Sequence, residues 1–228
     1  MRMRRCIPRV EPGAHMDASL VILGGGRGTR MGGNKLFLSV GGRFLWEVML
    51  QRMAPWFREV IMSVGPRDVG PLSGLLPPAA PGGVPIRVAV DRSEALGPLE
   101  GLRSALAEAR SGWAFAVGCD MPLVQHAVVR KMWSLMESRS MVICARLGGF
   151  LEPLHAFYST GCLPAVDDAI SRGERRLKGF YHQVEVTVVE EESLRYLPYR
   201  RSFLGVNTPK DLADRLDQLG AAPPWVIE

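Results

Sequence analysis

A short apolar run followed at once by a glycine-rich, basic segment is the feature that most constrains how this chain can fold. Residues 19–23 read SLVIL, which is typical of a buried β-strand, and residues 23–35 read LGGGRGTRMGGNK. Glycines allow positive φ angles and let backbone N–H groups approach an anion closely. Because ligands bind outside the carboxyl ends of strands in open α/β sheets, the segment predicts a phosphate-binding loop at that edge.

Cations in the same segment supply the charge that a triphosphate needs; they are Arg27, Arg30 and Lys35. The glycine spacing does not fit the dinucleotide-binding fingerprint. A P-loop is excluded as well, because Asn34 intervenes before Lys35 and Leu36 stands where Ser or Thr would hold magnesium. The plainer alternative is a flexible glycine loop whose arginines are merely solvated.

Strand-like and helix-like segments alternate along the 228 residues, which is the signature of βαβ units and a mostly parallel sheet. The further predicted strands of this kind are residues 60–64, 86–90, 113–117 and 141–145. Helical periodicity marks residues 44–53, 99–109, 124–137 and 209–219. Residues 184–189 alternate as a half-exposed strand, and residues 152–158 are expected to lie antiparallel beside the others, so the predicted sheet is mixed.

The composition is that of one globular domain, since 47% of the residues are hydrophobic and 22% are charged. We expect residues 1–17 to form a disordered tail and residues 18–228 to form a single domain; the alternative for the tail is an upstream start codon, with Met16 as the true beginning. The longest loop candidate, residues 65–85, is rich in Pro and Gly and is expected to connect two strands over the surface. No apolar run approaches a membrane span and the tail lacks the core of a signal peptide, so we expect a soluble, cytoplasmic protein.

The net charge favours a local anion site over a nucleic-acid surface. Four arginines of the tail contribute to the formal net charge of +5, so the folded part is only mildly basic. The cysteines form no C-x-x-C pair, so neither a structural zinc site nor a disulfide framework is indicated. They are Cys6, Cys119, Cys144 and Cys162. We expect neither nucleic acid nor a membrane as a partner.

The second chemical feature is an acidic residue, Asp120, in the sequence GCDMP that follows the strand at 113–117. A residue directly after an apolar strand stands at the carboxyl edge of the sheet, which is the edge of the glycine-rich loop. One carboxylate there suits Mg²⁺, which takes one or two carboxylates together with phosphate oxygens and waters. The alternative is that Asp120 caps the helix that follows.

A third loop is expected at the same edge. Asp91 ends the strand at 86–90, and Gly97 and Gly101 open the helix that follows in the sequence GPLEG. The alternatives are that Asp91 caps at the surface and that the glycines serve the tight packing of a helix start.

The order of these motifs resembles the molybdenum cofactor guanylyltransferases, within the nucleotidyltransferase fold. The resemblance rests on LGGGRGTRMGGNK, Asp91 with GPLEG, CDMP and NTPKDL at 207–212, and it runs from residue 19 to residue 219. It implies a Rossmann-like three-layer α/β/α fold with a mostly parallel, mixed sheet. It also implies an enzyme that takes Mg-GTP and molybdopterin carrying molybdenum, forms the guanine dinucleotide and releases pyrophosphate.

The resemblance also assigns site residues. The positions that it gives to GTP are Leu23, Gly24, Gly25, Lys35, Asp91 and Asp120, and the last of these also takes magnesium. The chemistry needs alignment and charge neutralisation and no nucleophilic side chain, so Arg27, Arg30 and Lys35 would hold the leaving pyrophosphate. The predicted catalytic residues are Asp120, Lys35 and Arg30. The histidines are expected to be structural or exposed; they are His126, His155 and His182.

A basic segment in the second half is expected on the pterin side of the site. It contains Arg175, Arg176 and Lys178, which could grip an anionic dithiolene cofactor, and the alternative is a solvated basic helix end. Asn207 matches a family asparagine near the metal side of the pocket.

One position departs from the family pattern. Gly65 stands where the family commonly has an asparagine that contacts the guanine, so base recognition would rest on backbone groups or on Ser63. Gly24 and Gly25 favour guanine, because related cytidylyltransferases tend to have alanines there. The open alternatives are CTP as the donor, cobinamide phosphate or a sugar phosphate as the acceptor, and a GTP-binding adaptor without turnover. Transient contact with other molybdenum cofactor assembly proteins is also expected.

Overall fold

A central β-sheet organises the part of the chain that the computed structural model describes, which is residues 15–24, 34–40, 42–92, 97–206 and 211. The strands are β1 (Ser19–Leu23), β2 (Ser39–Val40), β3 (Arg43–Phe44), β4 (Glu59–Val64), β5 (Ile86–Val90), β6 (Trp113–Gly118), β7 (Val142–Leu147), β8 (Phe150–Ser159) and β9 (Val186–Glu190). The main sheet has the order β5-β4-β1-β6-β8-β7-β9, and β2 and β3 form a separate antiparallel pair.

The sheet is mixed and mostly parallel, as the sequence predicts. β1 pairs in parallel with β4 and with β6, β5 pairs in parallel with β4, and β9 pairs in parallel with β7. Only β8 runs antiparallel to its two neighbours in this sheet, β6 and β7. The antiparallel strand therefore lies inside the sheet, where it separates a four-stranded parallel half from the pair β7 and β9.

Helices cover both faces of the sheet and complete three layers. They are α1 (Leu45–Met53), α2 (Val69–Ser73), α3 (Pro98–Glu108), α4 (His126–Ser134), α5 (Leu163–Ser171) and α6 (Tyr199–Ser202). One apolar core joins α1 and α4 to one face of the sheet, and a second core joins α3 and α5 to the other face. Successive side chains of a strand alternate between faces, so Leu20 and Ile22 enter the first core while Val21 and Leu23 enter the second.

Element types inside the described ranges agree with the sequence analysis, with the following exceptions. The region 65–85 is not a plain loop, because α2 forms within it and Leu72 is buried. The helices α5 and α6 and the short pair β2 and β3 were not predicted. The predicted helix at 124–137 is shorter at both ends, since Gln125 and Leu135 have non-helical backbone angles. Of the predicted helix at 209–219, only residue 211 lies within the described residues.

A buried carboxylate, that of Glu59, joins neighbouring segments at the edge of the sheet where β1 and β4 start. We name this edge the amino edge. Glu59 Oε1 accepts hydrogen bonds from Ser19 Oγ at 2.7 Å and from the backbone N–H of Arg110 at 2.7 Å. Arg87 Nη1 lies 3.5 Å from Glu59 Oε2, and Nη2 of the same arginine lies 2.6 Å from Glu108 Oε2. A buried carboxylate thus connects two strands and the turn that follows α3.

The division of the chain into a tail and one domain stays a prediction, because residues 1–14 lie outside the described ranges. Met16 already packs in the core, and its backbone N–H donates to the carbonyl of Trp56 at 2.9 Å. Across the described residues, no helix is both long enough and apolar enough to cross a membrane.

Candidate active site

The end of the glycine-rich segment and the acid of CDMP meet at the opposite edge of the sheet, the carboxyl edge. Leu23 and Gly118, the last residues of β1 and β6, are partners in the parallel pairing. Lys35 Nζ lies 2.6 Å from Asp120 Oδ2, and their side chains are 24% and 14% exposed. The structure therefore brings the two strongest sequence signals into direct contact.

Backbone contacts fix the position of Asp120. Its carbonyl accepts a hydrogen bond from the N–H of Val206 at 2.7 Å, and the N–H of Cys119 donates to the carbonyl of Leu23 at 3.1 Å. A Cβ atom on Gly118 would lie 2.6 Å from Asp120 Oδ1, so glycine is needed for the carboxylate to fold back over the strand. The helix-cap alternative for Asp120 is wrong, because Gln125 occupies the N-cap of α4.

A capped turn presents Lys35. The 3-10 helix Lys35–Phe37 begins after Asn34, whose Oδ1 accepts the N–H of Leu36 at 3.0 Å. Leu36, which occupies the Ser or Thr position of a P-loop, is fully buried in the core. The two residues that break the P-loop pattern are therefore the ones that anchor this turn.

Close packing explains Gly24. Its N–H donates to the carbonyl of Ser63 at 2.8 Å. A Cβ atom there would lie 2.9 Å from Leu36 Cδ1 and 3.1 Å from the Ser63 carbonyl oxygen. The phosphate-binding positions Gly25, Arg27 and Arg30 lie outside the described residues, so their roles stay predictions.

Asp91 is buried at the carboxyl end of β5. Its Oδ1 accepts hydrogen bonds from Ser63 Oγ at 3.1 Å and Ser104 Oγ at 2.7 Å. Burial raises the pKa of Asp91 above the usual range, although both hydroxyls oppose the shift. The surface-capping alternative is wrong, since Asp91 is buried and Gly97 holds the N-cap of α3.

The start of α3 packs closely on the sheet and on the segment before residue 177. Gly97 has a φ of 70°, and the N–H of Leu99 donates to the carbonyl of Arg175 at 3.3 Å. A Cβ atom on Gly101 would lie 2.9 Å from Ser63 Oγ and 3.3 Å from Leu23 Cδ2. The packing alternative therefore accounts for Gly101, and the positive φ accounts for Gly97.

Sequence reasoning missed a buried ion pair beside this loop. Glu100 Oε1 lies 2.8 Å from Arg103 Nη2, and both side chains are buried. The same Glu100 oxygen accepts the N–H of Arg92 at 2.9 Å. The pair thus fixes the chain just after Asp91 onto α3. Its only signal in the sequence is an acid and a base three residues apart, which is typical of any exposed helix face.

The basic segment lies beside the start of α3, at the junction of α5 and the 3-10 helix Leu177–Gln183. Arg176 is 75% exposed and pairs with Glu174 at 2.9 Å. Hydrogen bonds from the Arg176 side chain and from the N–H groups of Arg175 and Arg176 lower the pKa of Glu174 to about 2. The binding roles of Arg175, Arg176 and Lys178 stay predictions. Asn207 lies outside the described residues, directly after the residue that bonds to Asp120.

The histidines are structural or exposed, as predicted. His126 stacks on Trp56 with ring centroids 3.6 Å apart, and burial lowers its pKa to about 4. His155 is fully buried, and its Nε2 lies 2.8 Å from Ser202 Oγ. Burial lowers the pKa of His155 to about 3. His182 is exposed.

Comparisons with known proteins agree with this geometry. Residues 20–188 match the family model described as the MobA-like NTP transferase domain. The chain belongs to this family. A probable molybdenum cofactor guanylyltransferase of Pelotomaculum thermopropionicum is 36% identical over 202 residues, which cover 86% of this chain and 91% of that protein. A protein of the same name from Methanosarcina mazei is 33% identical over 206 residues, covering 87% and 89%.

A solved structure shows the same fold. Molybdopterin-guanine dinucleotide biosynthesis protein A from Archaeoglobus fulgidus has a TM-score of 0.74 at 23% identity, covering 89% of this chain and 98% of that one. The family match and the relatives make this MobA-like chain a nucleotidyltransferase, and the solved structure shows that it has the nucleotidyltransferase fold, as the motifs predict.

The donor set of this MobA-like site suits a divalent cation that arrives with phosphate oxygens. Asp120 supplies one carboxylate, and among the described residues no group of three or more His, Cys, Asp or Glu side chains could hold a metal. Mg²⁺ takes one or two carboxylates and completes its coordination with phosphate oxygens and waters. The arrangement therefore fits magnesium bound together with a nucleotide.

Ser63 is engaged within the fold of this MobA-like chain. Its hydroxyl donates to Asp91, and its carbonyl accepts the N–H of Gly24. Recognition of the base by backbone groups or by Ser63 stays a prediction.

Proposed function

We propose that this enzyme transfers GMP from GTP to the terminal phosphate of molybdopterin carrying molybdenum, which forms molybdopterin guanine dinucleotide and releases pyrophosphate. The observation that carries the proposal is the 2.6 Å contact between Lys35 Nζ and Asp120 Oδ2 where β1 and β6 end. The names of the relatives support a guanine nucleotide and the molybdenum cofactor as the two substrates. The remaining partners that we propose are proteins of molybdenum cofactor assembly, in transient contact.

The reaction is an in-line displacement at the α-phosphorus of GTP. An oxygen of the acceptor phosphate forms a bond to that phosphorus, the bond to the oxygen that bridges the α- and β-phosphates breaks, and pyrophosphate leaves with the electron pair. The acceptor oxygen is already anionic, so no side chain needs to remove a proton. This requirement is consistent with the structural engagement of both histidines: His126 stacks on Trp56, and His155 is fully buried with its Nε2 beside Ser202 Oγ.

Charge neutralisation and alignment are the tasks of the protein in this reaction. Lys35, with Arg27 and Arg30, would hold the charge of the departing pyrophosphate. Asp120 would hold Mg²⁺, which offsets the negative charge of the phosphates when it is bound. In the absence of nucleotide, Lys35 compensates the charge of Asp120, and the pair keeps both side chains at the edge where phosphates would enter.

The acceptor would lie on the other side of β6 from β1. The parallel half of the sheet, β5-β4-β1-β6, carries Leu23, Asp91 and Asp120, which leaves the start of β8 and the end of β7 for the second substrate. Arg175, Arg176 and Lys178 follow α5 and could pair with its anionic groups. An Arg176→Ala variant should weaken acceptor binding while the KM for GTP stays unchanged.

The direct test incubates the purified chain with Mg-GTP and molybdopterin carrying molybdenum and looks for the dinucleotide by mass spectrometry. Parallel reactions replace GTP by CTP or add EDTA. We expect a guanine dinucleotide and pyrophosphate only with GTP and free Mg²⁺. A cytosine dinucleotide would overturn the choice of base, and GTP binding without any turnover would support the adaptor alternative.

A further inference from the structure

A carboxylate outside the paired site, Glu152, lies at the same edge of the sheet as Asp120. Val117 of β6 pairs with His155 of β8, and β8 runs antiparallel to β6. Residues 152–154 therefore continue past the last paired residue toward the carboxyl edge, beside the segment in which Asp120 follows β6. In the sheet order, β8 is the strand next to β6 on the side away from β1.

A β-bulge shapes this end of β8. Cys144 pairs with Ala156 and Arg146 pairs with Leu151, so residues 152–155 lie opposite the single residue Ala145. Bulges of this kind redirect side chains and are frequent beside active sites. The irregular stretch contains Glu152 and ends on the buried His155.

Two tyrosines fasten the bulge to the basic segment. Tyr158 donates its hydroxyl proton to the carbonyl of Pro153 at 2.7 Å, and the hydroxyls of Tyr158 and Tyr181 are 2.8 Å apart. Tyr181 and Lys178 belong to the same 3-10 helix, Leu177–Gln183, which begins directly after Arg176. The basic segment and Glu152 are thus parts of one connected rim.

The carboxylate of Glu152 is partly shielded from water and has no side-chain partner among the described residues. Glu152 is half-buried, and burial is the one influence on its carboxyl group, with no ion pair or hydrogen bond from the described residues. Burial raises the pKa of Glu152 above the usual range. Burial, and to a smaller extent the Glu152 carboxylate, also raises the pKa of Cys144 to about 12. A partly desolvated acceptor of this kind gains from paired N–H donors.

We propose that Glu152 binds the donor edge of a 2-amino-4-oxopyrimidine ring, in which a ring N–H and an amino group point the same way, and that this ring is the pterin of the acceptor. A carboxylate accepts such a pair of donors with both oxygens. The Glu152 carboxylate would repel the phosphate and dithiolene groups. It would therefore favour the orientation in which the pterin end of the acceptor, and not its anionic end, lies beside Glu152. The identity of the acceptor rests on the proposed function.

The guanine of GTP carries the same donor edge, so position has to distinguish the two sources. The residues predicted to bind the nucleotide, Leu23, Asp91 and Asp120, lie at the carboxyl ends of β1, β5 and β6. Glu152 lies on β8, which is on the other side of β6 from β1. The basic segment that would meet the anionic groups of the acceptor is fastened to the same bulge. Both observations place the ring of the acceptor, and not that of GTP, at Glu152.

The test measures binding by fluorescence of two probes, pterin and lumazine; in lumazine an oxo group replaces the 2-amino group and the neighbouring N1 carries a proton, while N3–H is kept. The wild-type chain should bind pterin about tenfold more tightly than lumazine, and Glu152→Gln should abolish the preference. Glu185→Gln, at an exposed position just before β9, serves as the matched control and should keep it. Thermal unfolding checks that all three proteins are folded.

A second arm measures the KM for GTP and for ITP, which lacks the 2-amino group. The ratio should be the same in the wild type and in Glu152→Gln. A changed ratio, or a pterin preference that survives in Glu152→Gln, would overturn the assignment. A wild-type chain that prefers pterin but forms no dinucleotide contradicts only the proposed reaction, and dinucleotide formation with equal binding of both probes contradicts only the role of Glu152.

Discussion

The amino and carboxyl edges of the same sheet each hold a carboxylate of low exposure, and the two are built in opposite ways. Glu59 is held through its side chain, by Ser19, the backbone of Arg110 and the guanidinium of Arg87. Asp120 is held through its backbone, and its side chain meets the ammonium group of Lys35. The difference suits a structural role for Glu59 and supports our proposal that the Asp120 side chain holds magnesium in place of Lys35.

The largest expected effect is the loss of activity on removal of the carboxylate at the carboxyl edge. Asp120→Ala should lower kcat for pyrophosphate release about 1,000-fold or more, which corresponds to about 4 kcal/mol of transition-state stabilisation. Its unfolding temperature should stay close to that of the wild type, because the backbone contacts of residue 120 do not depend on the side chain. Pyrophosphate release and thermal unfolding are measured on the same preparation; an active variant contradicts the proposed role.

The amino edge should show the reverse behaviour. Glu59→Ala removes the acceptor of two hydrogen bonds and one partner of Arg87, so we expect it to lower the free energy of unfolding by about 3 kcal/mol. The folded fraction of the Glu59→Ala protein should have the kcat of the wild type. Urea denaturation measures the loss, and Glu108→Ala, which removes the exposed partner of the same arginine, should cost less than about 1 kcal/mol. Equal losses in the two variants would contradict the comparison.

The same contrast explains what the sequence could predict. Asp120 follows an apolar strand and precedes Met121 and Pro122. The local sequence alone therefore predicts that Asp120 lies at the carboxyl edge of the sheet. Glu59 stands one residue before a predicted strand and resembles any solvated residue at a strand start. Its role depends on Ser19 and Arg110, which are distant along the chain, and no local pattern reports such a contact.

The same limit applies to the helices. The segments with regular apolar spacing, α1 and α3, are predicted to within a few residues. α5 was missed because Gly161 and Pro164 at its start indicate a turn, although a proline in the first turn is compatible with a helix. α2 was missed because glycine and proline within 65–85 indicate a loop, whereas burial of Leu72 holds a short helix there. Tertiary contacts decide both cases.

A glycine at the carboxyl edge allows the position of the carboxylate to be changed without removing it. In Gly118→Ala the new Cβ atom would lie 2.6 Å from Asp120 Oδ1, so the carboxylate has to move. We expect kcat to fall about 10- to 100-fold, because a displacement of about 1 Å in a catalytic group has effects of this size. Gly112→Ala is the matched control, since a Cβ atom there meets nothing within 4 Å. If both variants keep full activity, the position of Asp120 is less restricted than the comparison requires.

The smallest expected effect concerns Asp91, which combines features of both edges because it lies at the carboxyl edge and is held through its side chain. Burial raises its pKa in the folded protein, so its contribution to stability is full below the pKa of the unfolded chain and is lost as pH rises through the folded pKa. Asp91→Asn keeps an acceptor for Ser63 and Ser104 and removes the charge. The stability of the variant relative to the wild type should therefore increase as pH rises from about 4 toward neutral. Urea denaturation at several pH values measures the difference, and a difference that stays constant with pH would show that the Asp91 carboxylate is not penalised by its burial.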